Sequence, residues 1–195
     1  LTQTTENNLG IYFAEGGTIS GSGSLAISGP CTYGIHVETG DFTCYADYVS
    51  VLDCAHGVNV KAGDVWISGG CLDVTVLRNA VAARQGSVMV TDGELIAKST
   101  NGSDSNRAIN AANGFSVANH LTVLAAEAYD GVPGAYDAAN IKNYDLIMVK
   151  NYPILLGVKT TDGSVGESED GGFVYFESYE GIFNKECSEE ITGTV

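Results

Sequence analysis

Residues able to do chemistry recur in this chain at an interval of 23. Asp41 and Asp64, Cys31 and Cys54, Tyr33 and His56, and His56 and Asn79 are each separated by it. If that interval is one coil of a repetitive fold, each pair becomes a pair of neighbours about 4.8 Å apart. Asp41 above Asp64 would then meet the roughly 5–5.5 Å carboxyl separation of a retaining glycosidase. The same two acids could share a calcium ion, which takes about six to eight oxygen ligands. Stacked acids at a turn, however, lie side by side rather than across a cleft, and no calcium-loop spacing supplies the remaining oxygens. Aspartate also suits a turn on its own account. No metal, cofactor or catalytic residue is therefore expected, Asp41 and Asp64 being the alternative for either role. Cys31 and Cys54 fall within reach of a disulfide, since bridged α-carbons lie about 4.4–6.8 Å apart. An unbridged pair of small buried hydrophobes has the same spacing. No CxxC pair is present for zinc or dithiol exchange, and Cys187 stands alone in an acidic tail.

Two sets of side chains could hold a ligand. Trp66, the single tryptophan, and Tyr45 fall on outward strand positions beside Thr43, Ser68 and Thr91. An aromatic flanked by hydroxyls can stack on a sugar ring while its neighbours bind the sugar hydroxyls. The second set is the column Tyr33, His56, Asn79 and Arg107, with His36, Asn59, Ala82 and Asn110 outward on the same face. Arg107 is one of few cations and could grip the carboxylate of an acidic sugar in a fork. Glu38, Lys61 and Arg84 read as charge compensation of little energetic weight at a surface. No GxSxG, HExxH or phosphate-binding glycine motif occurs.

The elements that must position these residues are strands. Blocks of 23 residues begin at Gly17, Gly40 and Gly63, a block of 28 begins at Gly86, and a fifth start follows at Gly114. Each block holds three short alternations of strand period, separated by glycine, aspartate or serine rather than by a helix. One inward column stacks Ile19, Phe42, Val65, Val88 and Phe115. A second stacks Val49, Leu72, Leu95 and Leu121, above Val51, Val74, Ala97 and Val123, with Leu25 and Ile27 serving the first block after a one-residue slip. A third stacks Ile35, Val58, Val81 and Ile109 above Val37, Val60, Ala83 and Ala111. Three strands per turn can bury those columns only against the coils above and below, so the expected fold is an all-β parallel β-helix. The crossover preference of parallel strands makes the expected coil right-handed. The five extra residues of the fourth block fit a loop around residues 99–106.

The expected organisation is a β-helix with an N-terminal cap over 1–126 and an irregular C-terminal continuation or cap over 127–195. Ile11 and Phe13 would point inward in an incomplete first turn. EAYDGVPGAYDAAN carries turn residues and room for a short helix. YDLIMVK, YPILLGVK and GGFVYFESYEGIF read as strands, with TTDGSVGESEDGG an acidic loop between the last two.

Nine Lys and Arg against 24 Asp and Glu give a net charge of −15, which repels phosphate backbones and anionic lipid. Nucleic acid is excluded as an expected partner. No apolar run is long enough to insert in a membrane, and the start of the chain carries no secretion signal. The coil sequences YGIHVE, HGVNVK and GSGSLAISG resemble glycine-rich β-helical regions of otherwise uncharacterised bacterial surface proteins assigned carbohydrate binding. The resemblance covers residues 17 to about 125 and rests on repeat character, so it transfers no functional residue. It implies export, surface display and attachment to a glycan. The expected function is a noncatalytic extracellular adhesion or carbohydrate-binding module whose partner is a glycan or a cell-surface protein. A polysaccharide-active hydrolase or lyase is one alternative, and a structural spacer or protein-interaction domain is another.

Overall fold

The computed structural model describes residues 8–101 and 106–151, which belong to one compact unit. The described chain is a parallel β-helix of about five turns. Its strands are β1 Leu9–Ser28, β2 Tyr33–Leu52, β3 His56–Val60, β4 Val65–Val76, β5 Val81–Ala83, β6 Val88–Ser99, β7 Ile109–Ala111, β8 Phe115–Val117, β9 Thr122–Ala126, β10 Gly134–Ala135 and β11 Leu146–Lys150. A 3-10 helix, Ala138–Asn143, begins in the stretch that left room for one and runs three residues beyond it.

Parallel pairing runs from β1 through β2, β4 and β6 to β8, and from β2 through β3 and β5 to β7. Val49, Leu72 and Leu95 stack in register, as do Val51, Val74 and Ala97. Ile35, Val58, Val81 and Ile109 form the third column, with Val37, Val60, Ala83 and Ala111 beside it. These positions are the predicted ones, and nearly all are fully buried. Ile11 and Phe13 pair with Ile35 and Val37, so the N-terminal stretch does form a partial first turn. The columns resume at Ile109 after the long fourth block, as expected; loop residues 102–105 lie outside the described residues. So do YPILLGVK, the acidic loop, GGFVYFESYEGIF and Cys187.

Two column assignments need correction. Ile19 lies beside Cys44, not Phe42, because Gly17 pairs with Phe42. The register shifts between Glu15 and Gly17, and the ring of Phe13 occupies the space a Gly17 side chain would need. The glycine abutting Gly40 is therefore Gly16. From there the bend is glycine by necessity: Gly63 has φ 147°, and a Cβ on it would come within 2.1 Å of the Gly40 carbonyl oxygen. The second correction concerns Leu121 and Val123, which do not stack on Leu95 and Ala97. β11 runs antiparallel between β6 and β9, placing Ile147 opposite Ala97 and Val149 opposite both Leu95 and Val123. YDLIMVK is a strand, as predicted, and it fills the slot the fifth coil would have taken. Leu146, Ile147 and Val149 bury their side chains there, and Lys150 pairs with Glu94 at 3.5 Å.

Candidate functional site

The third-strand face is built around a pair of inward-turned glycines. A Cβ on Gly34 would come within 2.2 Å of a Val51 methyl, and one on Gly57 within 2.2 Å of a Val74 methyl. Since Ile35 and Val58 are also buried, two consecutive residues turn inward at each level, and Tyr33 and His36 stand outward on either side of them. That local break in alternation brings their rings to 4.8 Å, stacked. Tyr33 continues onto His56 at 5.2 Å, and His36 onto Tyr12 at 5.8 Å. The result is a stack of aromatic rings crossing three coils, closed at His56 and open to solvent at Tyr12, which is 52% exposed.

Beside the ladder runs a chain of polar contacts whose direction follows from donor chemistry. Arg84 Nε can only donate, so the atom it meets at 2.8 Å is the Asn59 carbonyl oxygen. The Asn59 amide nitrogen then donates to His36 Nδ1 at 3.0 Å. This assigns the proton of the neutral ring to Nε2, which donates to Glu38 Oε2 at 3.2 Å. Lys61 closes the chain on the other oxygen of Glu38. Lys61 and His36 hold the Glu38 carboxyl below its usual range, so it stays ionised rather than serving as a proton carrier near neutral pH. Asn59 is only 1% exposed despite its outward position, covered by the side chains it joins.

Of the six ligand residues predicted from sequence, four meet on this face. Tyr33 and His56 form its ladder, and Asn79 Oδ1 accepts from the Arg107 backbone N–H at 3.1 Å and the Asn110 amide at 3.4 Å. Trp66 and Tyr45 lie on the first-strand face, Trp66 half-buried between Thr43 and Met89 and Tyr45 exposed beside Ser20. Tyr12 and Arg84 were not among the predicted six. The 24-residue step from Tyr12 to His36 hid one, and the reading of Arg84 as surface compensation hid the other. Arg78 and Arg84 both act electrostatically on His56, so cations that share no column still gather on one face.

Asp41 and Asp64 have a backbone task. Asp41 Oδ1 accepts the Asp64 N–H at 2.8 Å, and Asp64 Oδ1 accepts the Ser87 N–H at 2.7 Å. Each carboxylate thus holds the bend of the next coil. Among the described residues no group of acids, histidines and cysteines has metal-binding geometry. Cys31 and Cys54 are disulfide-bonded across adjacent coils. Cys44 is a buried core residue, and burial with Glu94 and Asp73 pushes the Cys71 thiol up to about 11, leaving it inert as a nucleophile.

A cavity of about 210 Å³ lies at the end of the same face, lined by Arg107, Asn110, Phe115, Tyr136 and Lys142 among others. No family model, curated protein or solved structure matches the chain.

Proposed function

We propose that the chain is a noncatalytic glycan-binding module that works outside the cell and binds through its third-strand face. The observation that carries this reading is the ladder Tyr12–His36–Tyr33–His56 beside the Asn59–Arg84 pair. The open face of Tyr12, at the exposed end of the ladder, can take the apolar face of a sugar ring, and the exposed Arg84 guanidinium, oriented by Asn59, can donate to its hydroxyls or to a carboxylate. The side chains are held by rigid strands and by one another, so little ordering is left to be done on binding. Acid–base chemistry is poorly served: Glu38 is held ionised between two cationic or donor groups, and His56 is kept neutral by burial. The Cys31–Cys54 disulfide supports an oxidising, extracellular setting. No helix among the described residues is long and apolar enough to cross a membrane.

The test is binding of the whole chain to a panel of neutral and acidic oligosaccharides, with Tyr12→Ala, Tyr33→Ala, Arg84→Gln and Trp66→Ala run in parallel. Saturable binding weakened about tenfold by either tyrosine substitution and unchanged by Trp66→Ala is the expected outcome. Binding lost only with Trp66→Ala would move the site to the first-strand face. A folded wild-type chain that binds nothing on the panel would sink the glycan reading in favour of a spacer or protein-contact role.

A further inference from the structure

The last coil of a solenoid has no coil above it, so its inward side chains need another cover. Here Ile109 and Phe115 continue the core columns to that end. The segment 136–142 lies over them, Tyr136 meeting Phe115 edge to face at 5.8 Å. Among the described residues this cover leaves a cavity of about 210 Å³. Its floor is apolar, while Arg107, Asn110 and Lys142 line its polar side, and among the described residues no acidic side chain lines it. In a chain of net charge −15 that is a local reversal of sign. The acid within the cover, Asp137, is occupied: its carboxylate accepts from Ala139 N–H at 2.9 Å and the Asn140 amide at 2.7 Å. Lys142 is exposed and forms no ion pair among the described residues. The volume is below the roughly 300–1,000 Å³ of pockets for drug-sized ligands, which limits the occupant to about one ring.

We infer that this cavity is a subsite for a single ring bearing a carboxylate, of the hexuronic acid class. The ring's apolar face would lie on Phe115, Tyr136 would flank it, and the carboxylate would meet Lys142. Asn110, which already donates to Asn79, ties the cavity to the third-strand face. The inference deepens the glycan reading by naming one sugar chemistry at one end of that face, and it rests on that reading only for the choice of a sugar.

The experiment is titration of the isotope-labelled whole chain with D-glucuronate, D-glucose and acetate, followed by amide chemical shifts, with Lys142→Gln beside the wild type. Glucuronate is expected to shift Asn110, Gly114 and Tyr136 saturably, with glucose and acetate each at least about tenfold weaker. Lys142→Gln should weaken glucuronate by about the same factor and leave the dispersion of the spectrum intact. Acetate binding as well as glucuronate would reduce the cavity to a plain anion site and overturn the inference. Glucuronate that leaves these amides unmoved, or that binds Lys142→Gln as tightly as wild type, would overturn it too. If oligosaccharides still bind at Tyr33 in that case, the surface reading survives alone. Cavity shifts with no oligosaccharide retained on the third-strand face would support the uronate subsite and overturn the surface reading.

Discussion

His56 stacks on Tyr33, and its Nδ1 is buried without a hydrogen bond among the described residues. Burial first, then Arg84 and Arg78, lower its pKa from 6.5 to about 4. Between those two values the unfolded chain binds more protons than the folded one, so stability rises with pH across that window. The contribution is complete above about pH 6.5 and is lost progressively towards pH 4, by roughly 3 kcal/mol for a shift of this size. His56→Phe keeps a ring against Tyr33 and removes the titration. Urea unfolding at pH 7 and pH 4.5 should show the wild type losing distinctly more stability than the variant; matching losses would show that His56 does not carry the acid limb. At this scale sequence spacing found the column of Tyr33, His56 and Asn79, because equal intervals become neighbours in a coil. It did not find the break in alternation at Gly34 and Gly57, since a glycine's inward turn is visible only when the Val51 and Val74 methyls that require it are in place.

β11 decides how the solenoid ends. Its buried Leu146, Ile147 and Val149 pack between β6 and β9, and the strand supplies hydrogen bonds to both. Without it, two edges would be left open to pairing with other chains. Ile147 is completely buried, so Ile147→Ala should cost about 2–5 kcal/mol through lost burial and the cavity left behind. Val132→Ala, at a side chain 82% exposed, should change stability by no more than about 0.5 kcal/mol. Denaturant midpoints of the two variants against wild type measure both, and a near-neutral Ile147→Ala would show that β11 is not part of the folded core. The alternation in YDLIMVK announced a strand but not its neighbours. A period-two apolar run serves a parallel or an antiparallel partner equally, and Leu121 and Val123 offered the same pattern for the same slot.

Across the molecule each coil contacts chiefly the coils beside it, so stability is close to a sum of coil and interface terms. The middle strands β2, β4 and β6 have neighbours on both sides. Among the described residues β10 pairs only with β9, and its two residues are exposed. Hydrogen exchange followed by mass spectrometry should therefore find the slowest amides in β2, β4 and β6 and the fastest around β10. Uniform protection from end to end would contradict a nearest-neighbour stack. The Cys31–Cys54 bridge joins two adjacent coils, closing a loop of 23 residues that is worth about 3 kcal/mol in the chain-entropy account. The sequence by itself determined the class of fold, the coil length and nearly every inward column, because those follow from a period repeated often enough to exclude other arrangements. Tertiary structure decided the slip at Gly17, the insertion of β11, and the gathering of Tyr12, His36 and Arg84 around Asn59. Each of these depends on which side chain fills a given space or which strand reaches an open edge first, and a period carries no information about either.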